Sequence, residues 1–165
     1  MLRSLLFSPV TKKHIQRKVL RTDTSHLFRI IQDVDRYKEF LPLCSDSKIL
    51  QRSDCGKYFD ATLTVGFPPL FSETYVSRVT IDRDNTIVRT QSIRSQLFDS
   101  LKSQWKLRDA TSDPEQPLCD VDFEVEMTVT DPAIVAVLDQ VLKEVAGRQV
   151  EAFEKRCSVV PFTKI

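Results

Sequence analysis

Residues 119–130 alternate without a break. Cys119, Val121, Phe123, Val125, Met127 and Val129 share one parity. Asp120, Asp122, Glu124, Glu126, Thr128 and Thr130 share the other. Side chains of a strand point by turns to opposite faces, so this strand has one dry side and one wet side. Such a strand belongs in an antiparallel sheet covered on one face only. The acidic side reads as a solvated sheet face.

The rest of the chain supplies partners for it. A weak strand is expected from His14 to Arg21. Its basic side chains would discourage pairing at an exposed edge. Asp23-Thr24-Ser25 offers capping oxygens for a helix. Leu27, Ile30, Ile31 and Val34 then form one apolar stripe. A second turn or short helix continues to Leu41, and Pro42 ends it. Strands follow over 48–52, over 59–67, from Phe71 to Ile81, and over 86–94. Leu101, Ser103, Trp105 and Leu107 mark another. Asp131-Pro132 opens a last helix, with Asp as cap and Pro at the first helical position. Its stripe is Ile134, Leu138, Val141, Leu142 and Val145. It is expected to run about 24 residues, ~36 Å, with Glu144/Arg148 and Glu151/Lys155 as surface pairs. Runs of strands with helices at the ends give an α+β fold. A curved sheet around a long helix leaves space between them. Phe67, Tyr75, Trp105, Phe123 and Met127 would point into it.

Two places have more than one reading. In Phe67-Pro68-Pro69-Leu70-Phe71 the prolines cannot donate to a ladder, so the strand breaks there. Its three large apolar side chains form a core corner, the mouth of a cavity, or a membrane-touching tip. Glu73 shares its parity with Phe71, Tyr75, Ser77 and Val79. It is either a polar group inside the cavity or is turned out at the sheet's end. Trp105 is likewise core packing or pocket lining.

Composition excludes several classes. The chain of 165 residues is long enough for one well-cored domain. Its net charge of +1 gives no bulk attraction to nucleic acid. Cys44, Cys55, Cys119 and Cys157 are far apart, without the close spacing of a zinc site, so no metal is expected. Free thiols suit a reducing compartment. There is no phosphate loop and no close nucleophile–histidine set; His14 and His26 read as solvated surface residues. No acidic residue precedes Asp23, while Arg3, Lys12, Lys13, Arg17, Lys18 and Arg21 do. The first residues have the composition of a short mitochondrial presequence or of a frayed terminus.

Asp33-Val34-Asp35-Arg36-Tyr37-Lys38-Glu39-Phe40-Leu41-Pro42-Leu43-Cys44 resembles the helix-end signature of the mitochondrial coenzyme Q-binding proteins. These are START-like members of the polyketide-cyclase/lipid-transport superfamily. Leu63–Phe67 with Glu73–Val79 resembles the family's central hairpin. Phe98, Leu101 and Trp105 match the next strand, and Ala152-Phe153-Glu154-Lys155-Arg156 the end of the last helix. The match covers about residues 14–157. Leu43 departs from it, since family members often carry Trp there.

The resemblance implies a helix-grip fold: a curved antiparallel sheet of about six to seven strands around the C-terminal helix, with an internal apolar cavity. A START-like lipid-binding domain is expected over 14–160, after a targeting or disordered segment over 1–13. The implied ligand is coenzyme Q, a polyisoprenoid quinone, held as ligand rather than cofactor in a tunnel. The expected lining is Tyr37, Phe40, Leu41, Leu43, Phe67, Leu70, Phe71, Tyr75, Trp105, Phe123, Met127, Leu138, Val141, Leu142 and Val145. Glu73 and Ser77 are candidate headgroup contacts. The implied role is that of a lipid chaperone, not an enzyme, on the matrix side of the mitochondrial inner membrane. It would touch the membrane peripherally, through its basic N-terminal region and the Phe67–Phe71 tip. It would associate with respiratory or quinone-synthesis complexes and bind no nucleic acid. Two alternatives stand beside it: a cyclase or hydratase using Glu73 with Tyr75, and a ribosome-associated module, as in a bacterial branch of the superfamily.

Overall fold

The computed structural model describes residues 7–67, 69 and 71–162, with the backbone alone at Phe67 and Phe71. Leu70 and the side chains of Phe67 and Phe71, expected at a cavity mouth, therefore lie outside the described residues, as do residues 1–6 of the expected targeting segment. The chain order is β1 (Val10–Leu20), α1 (Thr24–Gln32), a 3-10 turn (Val34–Arg36), α2 (Tyr37–Phe40), β2 (Cys44–Arg52), β3 (Tyr58–Phe67), β4 (Phe71–Asp82), β5 (Ile87–Arg94), β6 (Ser100–Asp109), β7 (Cys119–Val129), α3 (Pro132–Val135) and α4 (Leu138–Val159). The seven strands form one curved antiparallel sheet in the order β1-β7-β6-β5-β4-β3-β2. This is the expected α+β helix-grip architecture.

β7 alternates as its sequence dictates, buried on every odd residue and half-buried on every even one. Its register against β6 pairs Trp105 with Phe123 and Leu101 with Met127. The dry face receives α4, which carries Leu138, Leu142, Ala146, Val150 and Phe153 into the core. α1 adds Leu27, Ile30 and Ile31. Both helix caps form as expected. Asp23 Oδ1 accepts from Ser25 N at 2.9 Å and His26 N at 3.4 Å, and Asp131 Oδ1 accepts from Ala133 N at 2.9 Å.

Several expectations change. The last helix is broken: Val137, at φ −117° and ψ 5°, leaves helical conformation between α3 and α4. No glycine or proline marks that break, and the apolar stripe runs through it. β1 begins at Val10, four residues before the expected start, and takes in part of the expected 1–13 segment. His26 is only 6% exposed, not a surface residue. The first turn of α1 packs under the end of α4, where His26 Nε2 donates to the Cys157 carbonyl at 3.1 Å. His14 is half-buried, and its Nε2 is enclosed without a partner among the described residues.

The basic residues of β1 are not a free cationic strip. Lys12 pairs with Asp139 (3.7 Å), Lys13 with Glu124 (2.8 Å), Arg17 with Asp122 (3.4 Å) and Lys18 with Glu154 (3.0 Å). The acidic row of β7 is thus half-buried and ion-paired rather than simply solvated. An ion-paired lysine has less charge to offer an anionic lipid surface.

Candidate functional site

Between sheet and α4 lies a cavity of about 140 Å³. Small residues stand along its sheet wall, with Ser77, Thr90 and Ser103 lining it. Ala61 opposes Ser77 across β3–β4, Ser77 opposes Ser92 across β4–β5, and Thr90 opposes Ser103 across β5–β6. Larger side chains at Ser77, Thr90 and Ser103 would take up that space. A register shift at Val76/Ser77 leaves Ile93 as an extra residue on β5, directly beside Ser77. Such bulges bend a strand and re-aim its side chains.

The floor is fully buried: Val34, Val79, Trp105, Phe123 and Leu142. Trp105 stacks on Phe123 with ring centroids 4.3 Å apart. The mouth is marked by less buried lining residues: Pro42, Leu43, Val65 and Gly66 on one side, Val145, Arg148 and Gln149 of α4 on the other. Gly66 N donates to Leu43 O at 3.0 Å, fastening the turn after α2 to the end of β3.

Of the expected lining, Tyr37, Leu41, Leu43, Tyr75, Trp105, Phe123, Met127, Leu142 and Val145 come together, with Ser77 among them. Phe40 does not; it packs edge-on to Phe153 at 5.1 Å and lies under Arg156. Leu138 and Val141 are buried beside the cavity without lining it. Residues not foreseen include Cys44, Thr90, Phe98, Ser103 and Gln149. Inward parity marks Thr90 and Ser103 in hindsight.

Glu73 is not a cavity residue. It stands at the sheet's end, where its carboxylate accepts from Ser95 Oγ at 3.0 Å, Gln96 N at 2.5 Å and Leu97 N at 2.9 Å. It thereby holds the β5–β6 loop, whose Phe98 lies edge-on to Tyr75 at 5.8 Å and lines the cavity.

The wall is apolar with a few hydroxyls and one thiol. Burial raises the Tyr37 and Tyr75 phenols above their ordinary value. It pushes the Cys44 thiol up to about 11. All three are neutral near pH 7, acting as hydrogen-bonding groups, not as bases or nucleophiles. A larger groove of about 440 Å³ lies on the outer sheet face among Arg78, Arg89, Lys102, Glu124 and Glu126. Its charged, open walls do not suit an apolar ligand. Among the described residues no cluster of His, Cys, Asp and Glu is arranged to hold a metal ion. No described helix is long and apolar enough to cross a membrane.

Comparison with known proteins agrees with this architecture. The family model for polyketide cyclases/dehydrases and lipid transport proteins matches residues 22–154. The mitochondrial coenzyme Q-binding protein COQ10 of Dictyostelium discoideum is 27% identical over 149 residues, covering 90% of this chain and 69% of that protein. Its Schizosaccharomyces pombe counterpart is 35% identical over 101 residues, 61% of each chain. The ribosome association toxin RatA of Pseudomonas aeruginosa is 30% identical over 148 residues, 87% of this chain and 94% of that one. The chain thus spans roughly two thirds of its coenzyme Q-binding relatives and nearly all of RatA. Among solved structures, the Zhui aromatase/cyclase from Streptomyces sp. R1128 superimposes with TM-score 0.77 at 13% identity, over 90% of this chain and 94% of that one. A START superfamily protein from Mycobacterium smegmatis gives 0.71 at 17% identity, over 88% and 97%. At such identities the structural likeness is one of fold. With the seven-stranded grip, the cavity beneath α4 and a family match over most of its length, the chain belongs to the polyketide cyclase/dehydrase and lipid transport family.

Proposed function

We propose that this chain binds a polyisoprenoid quinone of the coenzyme Q type and carries it as a lipid chaperone. The place is the matrix side of the mitochondrial inner membrane, and the role supports respiratory electron transfer and quinone synthesis. The observation that carries the reading is the apolar cavity with hydroxyls in its wall. Relatives named as mitochondrial coenzyme Q-binding proteins supply the ligand class.

Energetics fit a carrier. A ring of aromatic side-chain size buries ~200 Å², which at ~25 cal/mol per Å² contributes about 5 kcal/mol before the costs of association. That alone gives weak binding, so the tail must add apolar contact outside the cavity. Peripheral membrane contact through Leu43 and the apolar sequence around Pro69 supplies a route in and out. The cyclase or hydratase reading finds little support, because the carboxylate it would use, Glu73, already serves three donors.

A second reading, ribosome association, has the likeness to RatA in its favour. Against it stands the charge: +1 overall, with the basic residues of β1 and Arg108 on β6 paired to carboxylates. RNA contact favours a basic footprint. Transfer of coenzyme Q between donor and acceptor vesicles separates the two. Small amounts of protein should speed the transfer. No transfer, together with salt-dependent co-sedimentation with ribosomes, would establish the second reading instead.

A further inference from the structure

The cavity is too small for the tail of a polyisoprenoid quinone. Its volume of about 140 Å³ is close to the ~150 Å³ that takes a single benzene ring. An isoprene unit is of similar size, so a tail of many units would leave nearly all of itself outside.

The wall also has a chemical bias. Most of the hydroxyls and the thiol around the cavity are paired within the protein. Thr90 and Ser103 bond each other at 2.6 Å, the Cys44 thiol donates to Asp46 O at 3.2 Å, and Tyr37 Oη donates to Ile31 O. Tyr75 and Ser77 differ. Among the described residues neither hydroxyl is hydrogen-bonded to a protein group, and neither is sealed off: both are reached from the cavity. They are 9% and 1% exposed, and both line the cavity. Two residues apart on β4, they stand on one face as neighbours, next to the bulge at Ile93. Each hydroxyl is therefore free to donate to whatever enters the cavity. A hydrocarbon tail offers it no acceptor, whereas the oxygens of a quinone ring do.

We infer that the cavity takes the ligand ring first. Ser77 and Tyr75 donate to oxygen substituents of a benzoquinone-sized ring, and the tail leaves past Pro42, Leu43 and Val145. This deepens the quinone-binding reading and rests on it.

Trp105 makes the inference measurable. It is the protein's only tryptophan and forms part of the cavity floor. A quinone ring in the cavity quenches its fluorescence by contact; a ring left at the mouth does not. The probes are a tail-less dimethoxy methyl benzoquinone, the same ring with a long tail, and a polyprenol with no ring. Both quinones should quench Trp105 saturably, and the polyprenol should neither quench nor displace the tail-less ring. Ser77→Ala and Tyr75→Phe should each weaken binding about fivefold. Their thermal stability should stay close to wild type, since neither hydroxyl bonds to a protein group among the described residues; a merely structural role would lower it. Binding of the tailed quinone without quenching, or displacement of the tail-less ring by polyprenol, would overturn ring-first binding and leave the quinone reading standing. Failure of both quinones to bind would overturn the quinone reading itself.

Discussion

Glu73→Gln asks whether the carboxylate is a latch or a reagent. The side chain accepts three hydrogen bonds, two of them from backbone N–H groups at 2.5 and 2.9 Å. Bonds to a charged acceptor contribute roughly 1.5–3 kcal/mol each, against about 0.5–1.5 for a neutral one. Glutamine keeps an oxygen for the Gln96 and Leu97 amides, and its NH2 can donate to Ser95 Oγ. The loss is then the charge on two bonds, ~2 kcal/mol, about halved because the site is only half-buried and water screens it. A cost of ~1 kcal/mol lowers Tm by about 2–4 °C in a protein of this size. The effect should be local. Amide exchange should quicken at Gln96 and Leu97, and quinone should dissociate faster because Phe98 rides on that loop. Glu73→Ala should do the same more strongly. The assays are thermal denaturation, hydrogen exchange and a stopped-flow off-rate. If Glu73→Gln leaves stability and exchange at wild-type values yet abolishes a chemical conversion of the ligand, the latch is wrong and the carboxylate is catalytic.

Three further outcomes follow from the same geometry. Ser77→Leu fills the cavity, so quinone binding should fall more than about tenfold while overpacking costs at most ~1–3 kcal/mol; wild-type binding, measured by Trp105 quenching, would place the ligand elsewhere. Burial raises the Cys44, Cys119 and Cys157 thiols, the first and last to about 11, whereas the exposed Cys55 is drawn below its ordinary value by the Ser53 hydroxyl. A disulfide-exchange reagent at about pH 8 should therefore titrate one thiol in the folded protein, and Cys55→Ser should remove it. Hydrogen bonding from Arg78 holds the Asp60 carboxyl below its ordinary value. Its stabilisation is complete above the unfolded value near ~4 and is lost as pH falls through the lower folded value. Asp60→Asn should flatten the acid limb of the stability profile there, read by urea melts across that range.

How much was legible differs from element to element. The alternation of β7 and the stripe of α1 gave their buried faces, because period alone decides which side is apolar. Asp23 and Asp131 announced their helices through local capping chemistry. The break at Val137 has no residue signal, since the stripe continues through it. His26 is buried by a helix end that arrives 131 residues later, which no local pattern reports. The cavity was legible only as a large apolar lining. It is made by what is missing: Ser77, Thr90 and Ser103 are small, and they become neighbours only through the β4–β5–β6 register. Glu73 had the right parity. Its commitment to the β5–β6 loop depends on tertiary placement, which parity cannot supply.

The central claim is that this protein carries a quinone. Its most direct test is mass spectrometry of the organic extract of protein purified, without denaturation, from mitochondria that make coenzyme Q. The account predicts a polyisoprenoid quinone, depleted in the extract of Ser77→Leu. An extract free of quinone, from protein that also fails to take it up on reconstitution, would contradict it.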